Sequence, residues 1–139
     1  MLDSLRSLLR YAWALPATLV GIVLATVACA FGATVIVTGG TLEVAGGLLI
    51  RIVSLLPRPV RFSAITLGHV IIGTSHPVLA RCRAHECVHV RQYERWGVLF
   101  FPLYLGSSLW QILRGRSPYR HNHFERQAFR EDAGRGETV

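Results

Sequence analysis

From Tyr11 to Val37 the chain carries no charged residue, a run of 27 positions in a protein of 139. About 20 apolar residues are enough to cross a bilayer as a helix, so this run marks a small membrane protein with one clear span. Arg6 and Arg10 precede it and Gly39-Gly40 follows. The run is too long for the apolar region of a cleaved signal peptide. It also continues past its one small-residue stretch, Ala28-Cys29-Ala30, and Thr26-Val27-Ala28 is a poor lipobox before Cys29. The sequence therefore predicts an uncleaved N-terminal transmembrane anchor over residues 1–40, ending at the two glycines.

The remainder is long enough for one cored domain and too short for two. The chain is 51% hydrophobic and 17% charged, which excludes a disordered protein and is too apolar for an ordinary soluble domain. Its net charge of +7 rests on arginine alone, with no lysine. The arginines are spread over many segments and not clustered with interleaved aromatics. That spacing argues against nucleic acid and names membrane lipid, with its anionic headgroups, as the partner. Cys29, Cys82 and Cys87 are too few for a disulfide framework, and Cys82 and Cys87 are badly placed to bridge on one helix, so all three read as free thiols. The free thiols and the arginine excess after Gly39 favour a single-pass protein of the cell membrane with its domain on the cytoplasmic side.

Past the apolar run, Thr41 to Ala45 reads as a short strand. Leu48, Leu49, Ile52, Val53 and Leu56 then recur at amphipathic-helix spacing until the Pro57-Arg58-Pro59 step. Phe62 to Thr66 and His69 to Thr74 read as two short strands separated by Leu67-Gly68. The pattern turns helical from Pro77 to Trp96, with Gly97 as its C′ residue, and Val98 to Leu113 is apolar almost all round. Asn122 is an N-cap with Glu125 at N3 of a last helix that runs to about Ala133, leaving 134–139 as a polar tail.

The chemistry is concentrated in His85-Glu86-Cys87-Val88-His89, an H-E-x-x-H on the predicted helix. Histidines at i and i+4 share a helix face, so both imidazoles can bind one zinc, and Glu86 can take a proton from a zinc-activated water. A chance match somewhere in a chain of this composition has a probability on the order of 1%. A catalytic zinc needs a third protein ligand and an open fourth position. His121, His123, Glu125 and Asp132 are the downstream candidates, and Glu125 lies one turn inside a capped helix. Cys82, one turn before His85, is a possible fourth ligand that would close the site, whereas Cys87 points away. Gln92, three residues past His89, is placed to orient that imidazole or a substrate backbone. His69 and His76 read as rim histidines satisfied by the protein. Trp96, Phe100, Phe101, Tyr104 and Trp110 are either an interfacial belt or core packing.

His85-Glu-Cys-Val-His-Val-Arg-Gln-Tyr-Glu-Arg-Trp-Gly97 together with Tyr119-Arg-His-Asn-His-Phe-Glu-Arg-Gln-Ala128 resembles the small gluzincin-type metalloprotease domains of bacteria. The likeness is greatest to membrane-anchored ones with an H-E-x-x-H-x-x-Q helix and an N-x-x-E-x-x-A helix, and it covers roughly residues 62–133. The resemblance implies His85, His89 and Glu125 as zinc ligands and Glu86 as general base. It also implies a small sheet whose edge strand, near Ala64 to Gly73, lies above the zinc and pairs with an extended peptide. The chain departs from the pattern at His123, where the family has proline, and at Phe129, where a tyrosine would stabilise the oxyanion. Tyr119, His121 and His123 then compete for that role.

The expected fold is a membrane-anchored α+β chain: a transmembrane helix (1–40), a minigluzincin-like zinc domain (41–133) of a small sheet and zincin-like helices, and a polar tail (134–139). The expected function is zinc-dependent hydrolysis of peptide or protein substrates. The alternative is a non-catalytic membrane accessory protein with a structural zinc site.

Overall fold

A computed structural model of the chain describes residues 2–58 and 61–136. Pro59 of the helix-stopping step and positions 137–139 of the polar tail lie outside the described residues. The chain is mixed α/β. In order it forms α1 (Leu2–Ala30), β1 (Ala33–Thr38), β2 (Thr41–Gly46), α2 (Leu49–Leu55), β3 (Ala64–Leu67), β4 (Val70–Gly73), α3 (His76–Trp96), α4 (Phe100–Leu113) and α5 (His123–Gly136). A 3-10 turn at Gly97–Leu99 joins α3 to α4.

The apolar run holds two elements where one was expected. The helix stops at Ala30, and 33–38 forms an edge strand antiparallel to β2. Thr34-Val-Ile-Val-Thr38 is β-branched throughout, which favours the pleated strand over the helix. Gly39 and Gly40, at φ 55° and 84°, make the two-residue turn between β1 and β2 that the strand twist requires. The glycines that the sequence reading placed at the end of an anchor close a hairpin. At the other end of the chain, α5 continues past Ala133 into the expected tail.

The sheet order is β1-β2-β4-β3, with β2 and β4 parallel and the two outer pairs antiparallel. The β3–β4 turn falls at Gly68-His69, one residue later than the sequence predicts, and Gly68 supplies the positive φ. Side chains of β2 and β4 alternate between two helices. Val44, Val70 and Ile72 pack on Ala25 and Ala28 of α1. Ala45 and Ile71 pack on Leu79 and Val90 of α3. On the α3 side Glu43, only 1% exposed, receives both Nε and Nη2 of Arg83 at 2.5 and 2.9 Å. That bidentate pair satisfies a charge the sheet would otherwise bury alone.

The N-terminal helix is thus a layer of the fold and not a tether beside it. It comes close to the sheet at Gly21, where a Cβ would lie 2.7 Å from Val70 Cβ and 2.9 Å from the Leu67 carbonyl oxygen. His69 reinforces the junction. Its ring stacks on Tyr11 at 4.1 Å, and its Nε2 lies 3.2 Å from Glu94 on α3. His76 Nε2 pairs with Thr34 Oγ1 at 2.7 Å. Two helical stretches, Ser4–Ala30 and His76–Leu113, are long and apolar enough to cross a membrane by length and composition.

Candidate metal centre

Helix α3 begins cleanly because Ser75 caps it, accepting from the Val78 amide, and Pro77 sits in its first turn where no amide is missed. Two turns on, His85 and His89 project from one face, both buried. Helix α5 delivers the third group. Asn122 is wholly buried and caps α5 by accepting from the Phe124 amide. Its own amide nitrogen donates to the Tyr104 carbonyl and to Ser108 Oγ, which locks the start of α5 against α4. This fixes Glu125, one turn in, opposite the histidines.

The three side chains converge. His85 Nε2 lies 3.1 Å from Glu125 Oε2 and 3.2 Å from His89 Nε2, and His89 Nε2 lies 3.4 Å from Glu125 Oε1. His85, His89 and Glu125 form a buried group that could hold a metal ion. Burial alone would raise the Glu125 carboxyl, but hydrogen bonds from His85, His89 and Tyr104 outweigh it and hold the pKa down at about 2. Burial opposes a charged His89 as well, yet its contacts with Glu125 and Gln92 win and raise its pKa. Both shifts describe a site that favours positive charge beside an ionised carboxylate.

Gln92 sets the tautomer of His89. Its amide nitrogen donates to the Phe124 carbonyl and to Gln127 Oε1, so its own Oε1 faces His89 Nδ1 at 2.8 Å. Nδ1 therefore carries the proton, and the Nε2 lone pair points at the shared focus. Replacing Gln92 with leucine is expected to weaken metal affinity by about 10 to 100-fold while leaving the helical circular dichroism unchanged. Competition against a chromophoric chelator measures it.

A cleft of about 740 Å³ opens over the group, walled by β3, α3, α4 and α5. Glu86 lies on this wall, and its Oε2 accepts a 2.7 Å hydrogen bond from Thr66 Oγ1 on β3. Tyr119 also lines the cleft. Burial and the neighbouring Glu125 push its phenol well above the usual tyrosine range, so it stays protonated. His121 and His123 do not line it. His123 is exposed, takes Ser107 Oγ on its backbone amide and sets its ring edge-on to Phe124 at 5.3 Å. Phe129, in the slot where the resemblance expects tyrosine, packs 4.7 Å from the His85 ring. Asp132 lines the cleft but stands apart from the converging group. Cys82 lines the cleft too, but its thiol bonds the Val78 carbonyl at 3.2 Å, and burial pushes its pKa up to about 11. None of the three cysteines is in a disulfide.

Two contributors escape a reading of the sequence. Thr66 meets Glu86 across 20 positions, and Tyr104 donates to Glu125 Oε1 at 2.6 Å across 21. Neither has a local pattern, although the aromatic spacing of α4 singles out Tyr104 as an inward or interfacial residue. No protein-family model matches the chain, and no curated protein or solved structure matches it at a significant level.

Proposed function

We propose that the chain is a zinc metallopeptidase held at the cell membrane, of the small gluzincin type that its two helix motifs resemble. The observation that carries this reading is the convergence of two imidazole nitrogens and a carboxylate at the floor of an open cleft, with a second carboxylate, Glu86, on the same wall. Ligand atoms around a tetrahedral zinc with bonds of about 2.0–2.1 Å lie about 3.3–3.4 Å apart. The separations of 3.1, 3.2 and 3.4 Å fit that figure. Three protein ligands leave a position open, as hydrolytic chemistry requires. The alternative, a structural zinc in an accessory protein, needs a fourth protein ligand, and the Cys82 thiol is engaged elsewhere.

Zinc, when bound, polarises the scissile carbonyl and acidifies water beside it. The rest falls to the chain. Thr66 holds one oxygen of Glu86, leaving the other to take the proton of the attacking water and pass it to the leaving amine. Among the described residues β3 pairs only with β4, which leaves its outer edge to align an extended peptide by backbone hydrogen bonds. Tyr119, protonated and on the cleft wall, is our choice for donating to the developing oxyanion. The arginine excess after Gly39 supports the cytoplasmic leaflet.

Incubating zinc-loaded protein in lipid vesicles with β-casein, followed by mass spectrometry, tests the proposal. Discrete cleavage products that vanish with 1,10-phenanthroline and return with added zinc are expected. Intact casein under all conditions would leave the accessory reading in its place.

A further inference from the structure

Helix α1 is built inside out. The residues it turns to the protein are small, with Ala14, Gly21, Ala25 and Ala28 all buried. Outward it presents Leu5, Leu8, Leu15, Leu19, Val23 and Val27, which are 48 to 67% exposed. Water does not favour that arrangement, and acyl chains do. Arg6 and Arg10 precede the apolar stretch, with exposed Tyr11 and Trp13 directly after, the residue types that sit at an anionic headgroup layer. Arg10 also lines a second, smaller cleft with Arg91, Glu94 and Arg95 of α3; Arg91 is paired with Glu131, and Arg10 and Arg95 outnumber Glu94 at the same level.

Much of the apolar part of α1 is also covered by the sheet. A Cβ at Gly40, in the β1–β2 turn, would meet the Tyr11 hydroxyl, and one at Gly68, in the β3–β4 turn, would meet Thr18. One at Gly47, just past the far end of β2, would meet the Phe31 carbonyl. The strands thus run alongside α1 from Thr18 to its C-terminal end, while Ala14, a turn earlier, packs on Tyr93, Phe100 and Phe124. A crossing by α1 would carry the sheet into the hydrocarbon with it. Among the described residues β1 and β3 each pair on one side only, so two open edges would then face lipid, which has no partners for their amides and carbonyls. The ion pair of buried Glu43 with the part-exposed Arg83 would go with them.

We infer that α1 does not cross the bilayer. It lies along one leaflet, its outward face among the acyl chains, while the sheet and α3, both packed on its inner face, keep the cleft on the aqueous side. The inference rests on the membrane association proposed above and sets its geometry.

Nitroxide labels placed singly at Leu8, Leu15, Leu19, Val23 and Val27 test it, in full-length protein whose three cysteines are replaced, bound to vesicles of phosphatidylcholine and phosphatidylglycerol. Accessibility to oxygen and to a water-soluble nickel chelate gives the depth of each label. All five are expected at one common depth within a single leaflet. A spanning helix would spread Leu8 to Val27 over about 28 Å, through the bilayer centre. That result would overturn the in-plane geometry and keep the membrane association. Water-like accessibility at every label would remove the membrane association itself. Labels shielded from both reagents would mean that a second copy of the chain covers the face, and would also overturn the inference.

Discussion

Glu86→Gln is expected to abolish measurable casein cleavage, a loss of roughly 10² to 10⁴-fold, while zinc content and fold stay at wild-type levels. Glutamine keeps the shape of the side chain and can still accept from Thr66 Oγ1, so the contact that joins α3 to β3 survives. What it lacks is the capacity to take a proton from water and return it to the leaving amine. Because Glu86 is not one of the three converging groups, its neutralisation leaves them in place. Turnover assays alongside atomic absorption on the same preparation check both halves. Full activity in the variant would remove Glu86 from the mechanism.

The second large effect concerns the ligands. His85→Ala, His89→Ala and Glu125→Ala are each expected to lose nearly all bound zinc, since two protein ligands hold the ion poorly. Glu125→Ala carries a further signature. It strands the Tyr104 hydroxyl, which now donates to Glu125 Oε1, and leaves both histidines without their acidic partner. Thermal unfolding of the metal-free variants separates this cost from the loss of metal. Unchanged zinc content in all three variants would eliminate the site.

The parts of this site that the sequence made legible are those written in local spacing. The i, i+4 histidines, the Asn122 cap and Gln92 at i+3 from His89 all follow from helical periodicity, and the structure brings each into the same site. Thr66 and Tyr104 were hidden because their roles depend on tertiary approach between elements, which no periodicity encodes. The assignment of β1 to an anchor has a different cause. A strand of uncharged β-branched residues placed directly after an apolar helix prolongs the hydrophobic signal, and only Gly32 and the Gly39-Gly40 pair mark the change. The stripe of Ala14, Gly21, Ala25 and Ala28 was the available sign that α1 packs closely on something, since small residues on one helix face let backbones approach. His123 was a candidate by its place in the loop before Glu125. Its exposed position follows from the cap at Asn122, which turns the chain so that Phe124, and not its neighbour, points inward.

X-ray absorption at the zinc edge, on protein loaded and washed free of excess metal, tests the central claim most directly. The account predicts one zinc per chain, with a shell of nitrogen and oxygen at about 2.0–2.1 Å that includes an exchangeable solvent oxygen. Absence of stoichiometric zinc, or a sulfur neighbour at about 2.3 Å contributed by Cys82, would contradict it.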